Sequence, residues 1–228
     1  MRLLITALAF LISVSLFGQS PCNNQTSVTH QGYEYDIVEI GEQCWFAENC
    51  RYLPEVSPPF STVVSVSSST EPYYYVYYYQ GFDVSAAQAT TKYATYGVLY
   101  NWPAVMTEDI CPSGWHIPSD GEFTQLTDFL GGESNAGYVM KSTSGWDSGG
   151  NGRFVNGNGS NSSGFTGLPG GRRDFLGGFK KVGDFGNWWS ASESGSGSWV
   201  LKLNFINGYV NRNSLDRKYG FSARCVRD

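Results

Sequence analysis

The sequence predicts a mixed fold in which short antiparallel strands and tight turns surround one well-marked helix and are tied by disulfides. Three observations predict it. Only 15% of the 228 residues are charged, while 16% are aromatic and 28 are glycine, a mixture that suits strands, turns and flat rings better than a helical bundle. Five cysteines are present, at positions 22, 44, 50, 111 and 225. Apolar residues alternate with polar ones around Tyr33–Phe46 and again around Trp199–Phe205, as half-buried strands require.

At the start of the chain, Met1 and Arg2 precede an apolar run from Leu3 to Phe17 that ends in Gly18, Gln19 and Ser20. This reads as a secretory signal peptide over 1–20, followed by one domain over 21–228. The run is short for a bilayer span and no later segment would stop transfer, so no membrane span is expected. The mature chain is expected in the periplasm, at the outer surface or in the medium. Cys22 follows Gln19-Ser20-Pro21, a poor fit to a lipoprotein cleavage site. Loss of Arg2 lowers the basic residues from 15 to 14, against 20 acidic ones, which leaves no basic footprint for nucleic acid. Export permits oxidation. Joining Cys111 to Cys225 would pin the C-terminal strand to the middle of the chain, Cys22 with Cys44 is the other expected pair, and Cys50 is then the odd thiol. Spacing alone leaves this connectivity open.

The elements follow in chain order. Tyr33, Tyr35 and Ile37 alternate with polar neighbours, Gly41-Glu42 makes a turn and Gln43 to Phe46 return, so residues 33–49 read as a hairpin. Residues 54–70, PEVSPPFSTVVSVSSST, are poor in charge and rich in serine and proline, and read as a surface loop. The next stretch, EPYYYVYYYQGFDV, is too aromatic to stay in water and must dock on the same core. Alanines in VSAAQATTKYAT over 84–95 favour a short helix, although the threonines weaken it. The firmest helix starts at Asp120: Ser119 caps it, and Glu122 stands at the spacing of a capping box. Phe123, Leu126, Phe129 and Leu130 share one face, and Gly131-Gly132 supplies the left-handed stop. From Lys141 to Arg173, glycine, asparagine and serine dominate without apolar period, a length of loop that is usually functional. Trp199, Leu201, Leu203 and Phe205 then face one way along a strand, and Asn207-Gly208 is expected to turn directly into Tyr209–Arg212. Phe221, Ala223 and Cys225 share one face of a final strand.

Catalytic groups are scarce. His30 and His116 have no nucleophile beside them in sequence; His116, next to Trp115, reads as a packed structural residue and His30 as exposed. No zinc-type cluster of histidine, cysteine and carboxylate is present. Calcium is the cation that the loop's oxygen donors would suit, through Asp147, Asn151, Asn156, Asn158 and Asp174, but a D-x-D-x-D-G run is missing, so no cofactor is expected. Cys50 lacks a neighbouring histidine and reads as a leftover thiol. Trp45, Trp102, Trp115 and Trp199 read as core, whereas Trp146 and one of Trp188 or Trp189 are candidates to stack on sugar rings at the surface. The run Tyr73–Tyr79 is a further candidate platform, with alternate rings buried and presented. Arg172, Arg173 and Asp174 could anchor a polar ligand, an internal salt bridge being the competing role. The candidate ligand-binding set is Trp146, Asn156, Asn158, Arg172, Asp174 and Trp188. Asp174 and Asp184 are candidate carboxylates for glycan hydrolysis, but nothing in the sequence sets them opposite one another.

Six segments in order, YDIVEIGEQCWFAENCRY at 35–52, YGVLYNWPAV at 96–105, CPSGWHIPSDGEFTQLTDFLGG at 111–132, GFTGLPGGRRD at 164–174, GNWWSASE at 186–193 and GFSARCVRD at 220–228, carry a resemblance. Together they resemble the Fibrobacter succinogenes major paralogous domain family, common among exported proteins of Bacteroidota and Fibrobacterota. Cys50 departs from it, standing where the family usually has leucine. GWHIPSDGEF also resembles the W-x-L-P-[ST]-x-x-E-[WF] helix start of C-type-lectin-like folds, formylglycine-generating enzymes included. These resemblances imply an α+β, C-type-lectin-like domain with small twisted antiparallel sheets, one or two helices, paired termini and long irregular loops; a bridge from Cys111 to Cys225 would suit it. The lectin Glu-Pro-Asn and Trp-Asn-Asp motifs are missing, and with four cysteines in structural bridges the formylglycine-generating activity is not expected. The expected function is that of an exported non-enzymatic binding or adhesion module of the bacterial cell envelope, its ligand a glycan or a cell-surface protein. The alternative is a structural component of an envelope assembly with no small ligand, and a polysaccharide-acting enzyme stands third.

Overall fold

The computed structural model describes residues 20–57, 67–148 and 157–228. The expected leader lies outside these residues but for Ser20. Strands β1 (Ser27–His30), β2 (Tyr33–Ile40) and β3 (Gln43–Phe46) form the expected hairpin with one strand added before it, Ile37 opposite Phe46 and Ile40 opposite Gln43. The tyrosine run enters β4 (Tyr74–Tyr75), and the alanine-rich stretch makes two short helices rather than one, α1 (Val84–Gln88) and α2 (Thr91–Tyr96). Thr90 causes the break: its hydroxyl accepts from the Tyr93 amide, which starts a second helix where the first would have continued. Strand β5 (Leu99–Tyr100) pairs with β4, and Asn101 caps α3 (Trp102–Val105).

Next come β6 (Trp115–His116) and the helix α4 (Asp120–Phe129). Both halves of the capping box are formed, the Ser119 hydroxyl accepting from the Glu122 amide and the Glu122 carboxylate from the Ser119 amide. Gly131 and Gly132 follow with φ of 97° and 84°. Phe123 and Leu126 are buried as expected, but Phe129 is exposed and Thr127 takes a buried place instead. A short α5 (Ala136–Met140) precedes β7 (Arg172–Arg173), β8 (Phe179–Lys180), β9 (Phe185–Ser194), β10 (Gly197–Asn204), β11 (Asn211–Asp216) and β12 (Val226–Arg227).

Among the described residues these strands form four antiparallel groups: a five-stranded sheet ordered β1-β2-β3-β12-β6, a three-stranded sheet β11-β10-β9, and the pairs β4-β5 and β7-β8. The C-terminal strand is thus inserted between the N-terminal hairpin and β6. Two disulfides secure the arrangement, Cys22–Cys44 and Cys111–Cys225, and Cys50 is free and buried.

The core is divided. Neighbouring residues on a strand point to opposite faces, and both faces of β3 and β9 are covered. Trp45 and Trp188 pack with Phe123, Phe165 and Leu203 on one side, while Phe46 and Trp189 pack with Tyr35, Tyr100 and Phe221 on the other. Phe221, Ala223 and Cys225 do share one cluster, although only Val226 and Arg227 continue as strand.

The expected two-residue turn at Asn207-Gly208 is a six-residue loop over 205–210. Asn204 Oδ1 accepts from the amides of Ile206 and Asn207, and Asn207 Oδ1 from that of Tyr209. The loop also solves the problem of Lys141, which is buried and donates to the Asn204 and Asn207 carbonyls at 3.1 and 3.0 Å. Burial holds its ammonium pKa down to about 8.

His116 clamps the end of the inserted strand. Its Nδ1 lies 2.5 Å from Asp228 Oδ1 and its Nε2 2.7 Å from Glu122 Oε1. Burial would lower the imidazole pKa, but hydrogen bonds to the two carboxylates outweigh it and leave it above its usual value. A raised folded-state pKa stabilises fully below the unfolded value, about 6.5, and the contribution disappears as pH rises through the folded value. The expected outcome is therefore that His116→Gln lowers the melting temperature at pH 5.5, and that the gap to the native chain narrows by pH 8.5. Thermal melts at the two pH values check this; a gap that widens with pH contradicts it.

Candidate functional site

An exposed aromatic surface with a polar anchor lies where the tyrosine run meets the β7–β8 hairpin. In that hairpin Arg172 stands opposite Lys180 and Arg173 opposite Phe179. Asp174 builds the turn: its Oδ1 accepts from the Leu176 and Gly178 amides at 3.0 and 2.8 Å, an Asx-type closure that leaves Gly177 at φ 91°. Lys180 Nζ reaches Asp174 Oδ2 at 2.5 Å. Burial would raise the Asp174 carboxyl pKa, but the Lys180 ammonium and the two amides outweigh it and hold it below the usual range. With its polar groups turned inward, the turn presents Phe175 and Leu176 to solvent, 44% and 62% exposed.

The opposite wall is Tyr78, 63% exposed, with its ring centroid 5.8 Å from that of Phe179. It occupies the third position of a turn closed by the Tyr79 amide on the Val76 carbonyl, a place usually taken by glycine, and its φ is 63°. Such a backbone costs on the order of 1–3 kcal/mol for a side chain of this kind. The neighbouring Tyr75 and Tyr77 are buried with Leu99 and form the floor beneath Phe179. Tyr78, Gln80, Asp174, Leu176, Phe179 and Lys180 line an open groove of about 380 Å³.

Residues 38–227, most of the chain and all of the groove, match the Fibrobacter succinogenes major domain. The chain belongs to that family. No curated protein and no solved structure matches it. The family domain here contains both disulfides except for Cys22, and it contains every candidate residue named above.

The structure brings Asp174 together with the tyrosine run, and Asn158 together with Trp146 in a different loop. The rings of the run do not alternate: Tyr74, Tyr75 and Tyr77 are all buried, because the chain turns after β4 instead of continuing as strand, and Tyr78 alone of these four projects. Trp146 and Trp188 are 5% and 0% exposed, so neither offers a ring face to solvent. For Trp188 the cause is the double-sided cover of β9, which buries Trp189 too. Trp146 folds back on its own loop, its indole N–H donating to Ser142 Oγ and the Gly167 carbonyl. Trp102, Trp115 and Trp199, expected as core, are only partly buried.

Asn158 serves that loop by accepting from the Trp146 amide at 3.1 Å, and Asn151 and Asn156 lie outside the described residues. Arg172 stacks on Tyr219 with 5.6 Å from guanidinium to ring centroid, and buried Arg173 stacks on Tyr75 at 4.0 Å. Asp174 forms a salt bridge with Lys180. Asp184 pairs with Lys181 and lies beside Asp147, whose carboxyl pKa is raised by burial and by that neighbour. Asp174 and Asp184 thus belong to separate ion pairs. Among the described residues no three His, Cys, Asp or Glu side chains converge on a metal position. His30 is partly buried, its Nε2 lying 2.7 Å from the Asp109 carbonyl.

Sequence reasoning missed Phe175, Leu176, Phe179 and Lys180. For Phe175 and Leu176 the signal was present in DFLGG, an Asx-turn residue and a Gly-Gly pair enclosing two large apolar side chains that a turn cannot bury. If Asp174 holds the hairpin, Asp174→Asn removes an ion pair and weakens two charge-assisted hydrogen bonds, together on the order of 1.5–3 kcal/mol. The Leu176 and Gly178 amides are expected to exchange with solvent about tenfold faster or more in hydrogen-exchange NMR. Unchanged protection contradicts this role.

Proposed function

We propose that this chain is an exported, non-enzymatic binding module of the bacterial cell envelope, and that the groove between Tyr78 and the Asp174–Lys180 hairpin takes a glycan. The carrying observation is the Tyr78 ring, held out to solvent on a left-handed backbone beside a paired carboxylate and ammonium. A sugar offers a flat C–H face to a ring and hydroxyls to charged and amide groups, and Tyr78, Phe179, Gln80, Asp174 and Lys180 supply both kinds of partner in one place. Two disulfides favour an oxidising compartment, and among the described residues no helix is long and apolar enough to cross a membrane. The C-type-lectin-like arrangement is part of the proposal; it draws support from β12, which pairs the C-terminal end with the N-terminal hairpin. Catalysis and a bound cofactor are not part of it, since Asp174 is engaged by Lys180 and two amides.

A second reading, a structural component of an envelope assembly, draws on Phe175 and Leu176, whose apolar side chains suit a protein surface better than a sugar. A glycan array followed by calorimetry separates the two. The glycan reading predicts a hit that Tyr78→Ala weakens about tenfold, the loss of roughly 1.4 kcal/mol of ring contact. A blank array, with saturable capture of one envelope protein that Leu176→Ser abolishes, would replace it by the structural reading.

A further inference from the structure

Three sulfur atoms meet in the core cluster that holds Phe46 and Trp189. The free thiol of Cys50 lies 3.6 Å from Cys225 Sγ, which is itself bonded to Cys111. The segments carrying Cys50 and Cys225 are held together by backbone as well, the Cys50 amide donating to the Ala223 carbonyl at 2.9 Å and the Phe46 amide to the Cys225 carbonyl at 3.0 Å. A bond between Cys50 and Cys225 would therefore join segments that already lie in register. Cys50 and Cys225 are wholly buried, whereas Cys111 is 7% exposed. It forms part of the wall of an open groove of about 290 Å³ with Val105, Met106, Ile110, Trp115 and His116.

We propose that the Cys111–Cys225 disulfide isomerises to Cys50–Cys225 within the folded chain, releasing Cys111 as a thiol into this groove, where it is a modification site for small soft electrophiles. Cys50 sulfur forms a bond to Cys225 sulfur as the Cys225–Cys111 bond breaks, and the proton lost by Cys50 is regained by Cys111. The number of disulfides is unchanged, and no outside oxidant or reductant is needed. The resting form is latent: burial pushes the Cys50 thiol up to about 12, with Arg224 lowering it in part and Glu48 raising it, so the attacking thiolate is scarce and exchange is slow. Cys22–Cys44, joining residues 22 apart at the other end of the hairpin, takes no part.

The test is to incubate the native chain with iodoacetamide, without reductant, and to map the alkylated and bridged peptides by mass spectrometry beside Cys50→Ser, which keeps both disulfides. The expected result is slow labelling of Cys111 with a Cys50–Cys225 bridged peptide in the native chain, and on the order of tenfold less Cys111 label in Cys50→Ser. In a second variant, Cys111→Ser treated with oxidised glutathione, a Cys50–Cys225 bridge is expected. The proposal is overturned if the native chain is labelled only at Cys50 or at no cysteine. Equal Cys111 labelling in Cys50→Ser overturns it too, as do two free thiols in oxidised, folded Cys111→Ser.

Discussion

The fold depends on a buried guanidinium that, among the described residues, hydrogen-bonds to no carboxylate. Arg224 is 0% exposed, and its polar partners among the described residues are oxygens of neutral groups: Asn49 Oδ1 and the carbonyls of Phe46, Phe165 and Thr166. Its plane lies 3.9 Å from the Phe165 ring centroid. Taking a charge out of water costs several kcal/mol even after relaxation, and burial holds this pKa down to about 9. What offsets the cost is that one rigid fork satisfies oxygens from two stretches of chain, 46–49 and 165–166, that have no ladder in common. Asn49 extends the fork. Its Oδ1 also accepts from the Trp188 indole at 2.9 Å, and its Nδ2 donates to the Tyr96 carbonyl and to Ser222 Oγ. Trp188 belongs to one core cluster and Phe46 to the other, so this polar pair is where the two halves of the core are joined.

The candidate groove is tied to the C-terminal segment through Gly220. The backbone of Gly220 exchanges two hydrogen bonds with Arg173, and a Cβ at this glycine would sit 3.0 Å from Arg173 Cβ and 3.1 Å from the Tyr75 ring. The close approach lets Arg173 lie flat on Tyr75, which fixes β7 and with it the Asp174 turn. A chain with few charges can hold such a hairpin because its cations spend themselves on rings: Arg172 on Tyr219, Arg173 on Tyr75, Lys202 on Phe185 and Arg217 on Trp102. At the edge of this hairpin the rings of Tyr78 and Phe175 stay exposed.

Local signals were legible in the sequence and long-range cover was not. The capping box of α4, the glycine stop after it and the 33–46 hairpin each depend on a few neighbouring residues, and each formed as read. Both disulfides join the expected pairs, although spacing alone had left the connectivity open. The exposure of tryptophans is different in kind, since it depends on what covers each face of a strand. Trp188 and Trp189 were expected to differ, but β9 is covered on both sides; Trp199 was expected inside and is only partly buried. Asn207-Gly208 has the composition of a two-residue turn, yet the need of a buried Lys141 for two carbonyls decides the loop. The groove joins residue 78 to residues 174–180, a pairing that only the tertiary fold reveals.

Denaturant unfolding of Arg224→Met beside the native chain tests the junction most directly. If Arg224 joins the two halves of the core, methionine of similar length takes the donor away from the Phe165 and Thr166 carbonyls, and the loss is roughly 2–5 kcal/mol, a large share of a domain's stability. A loss below about 1 kcal/mol with an unchanged denaturant slope would contradict the account, because the two clusters would then hold together by apolar packing alone.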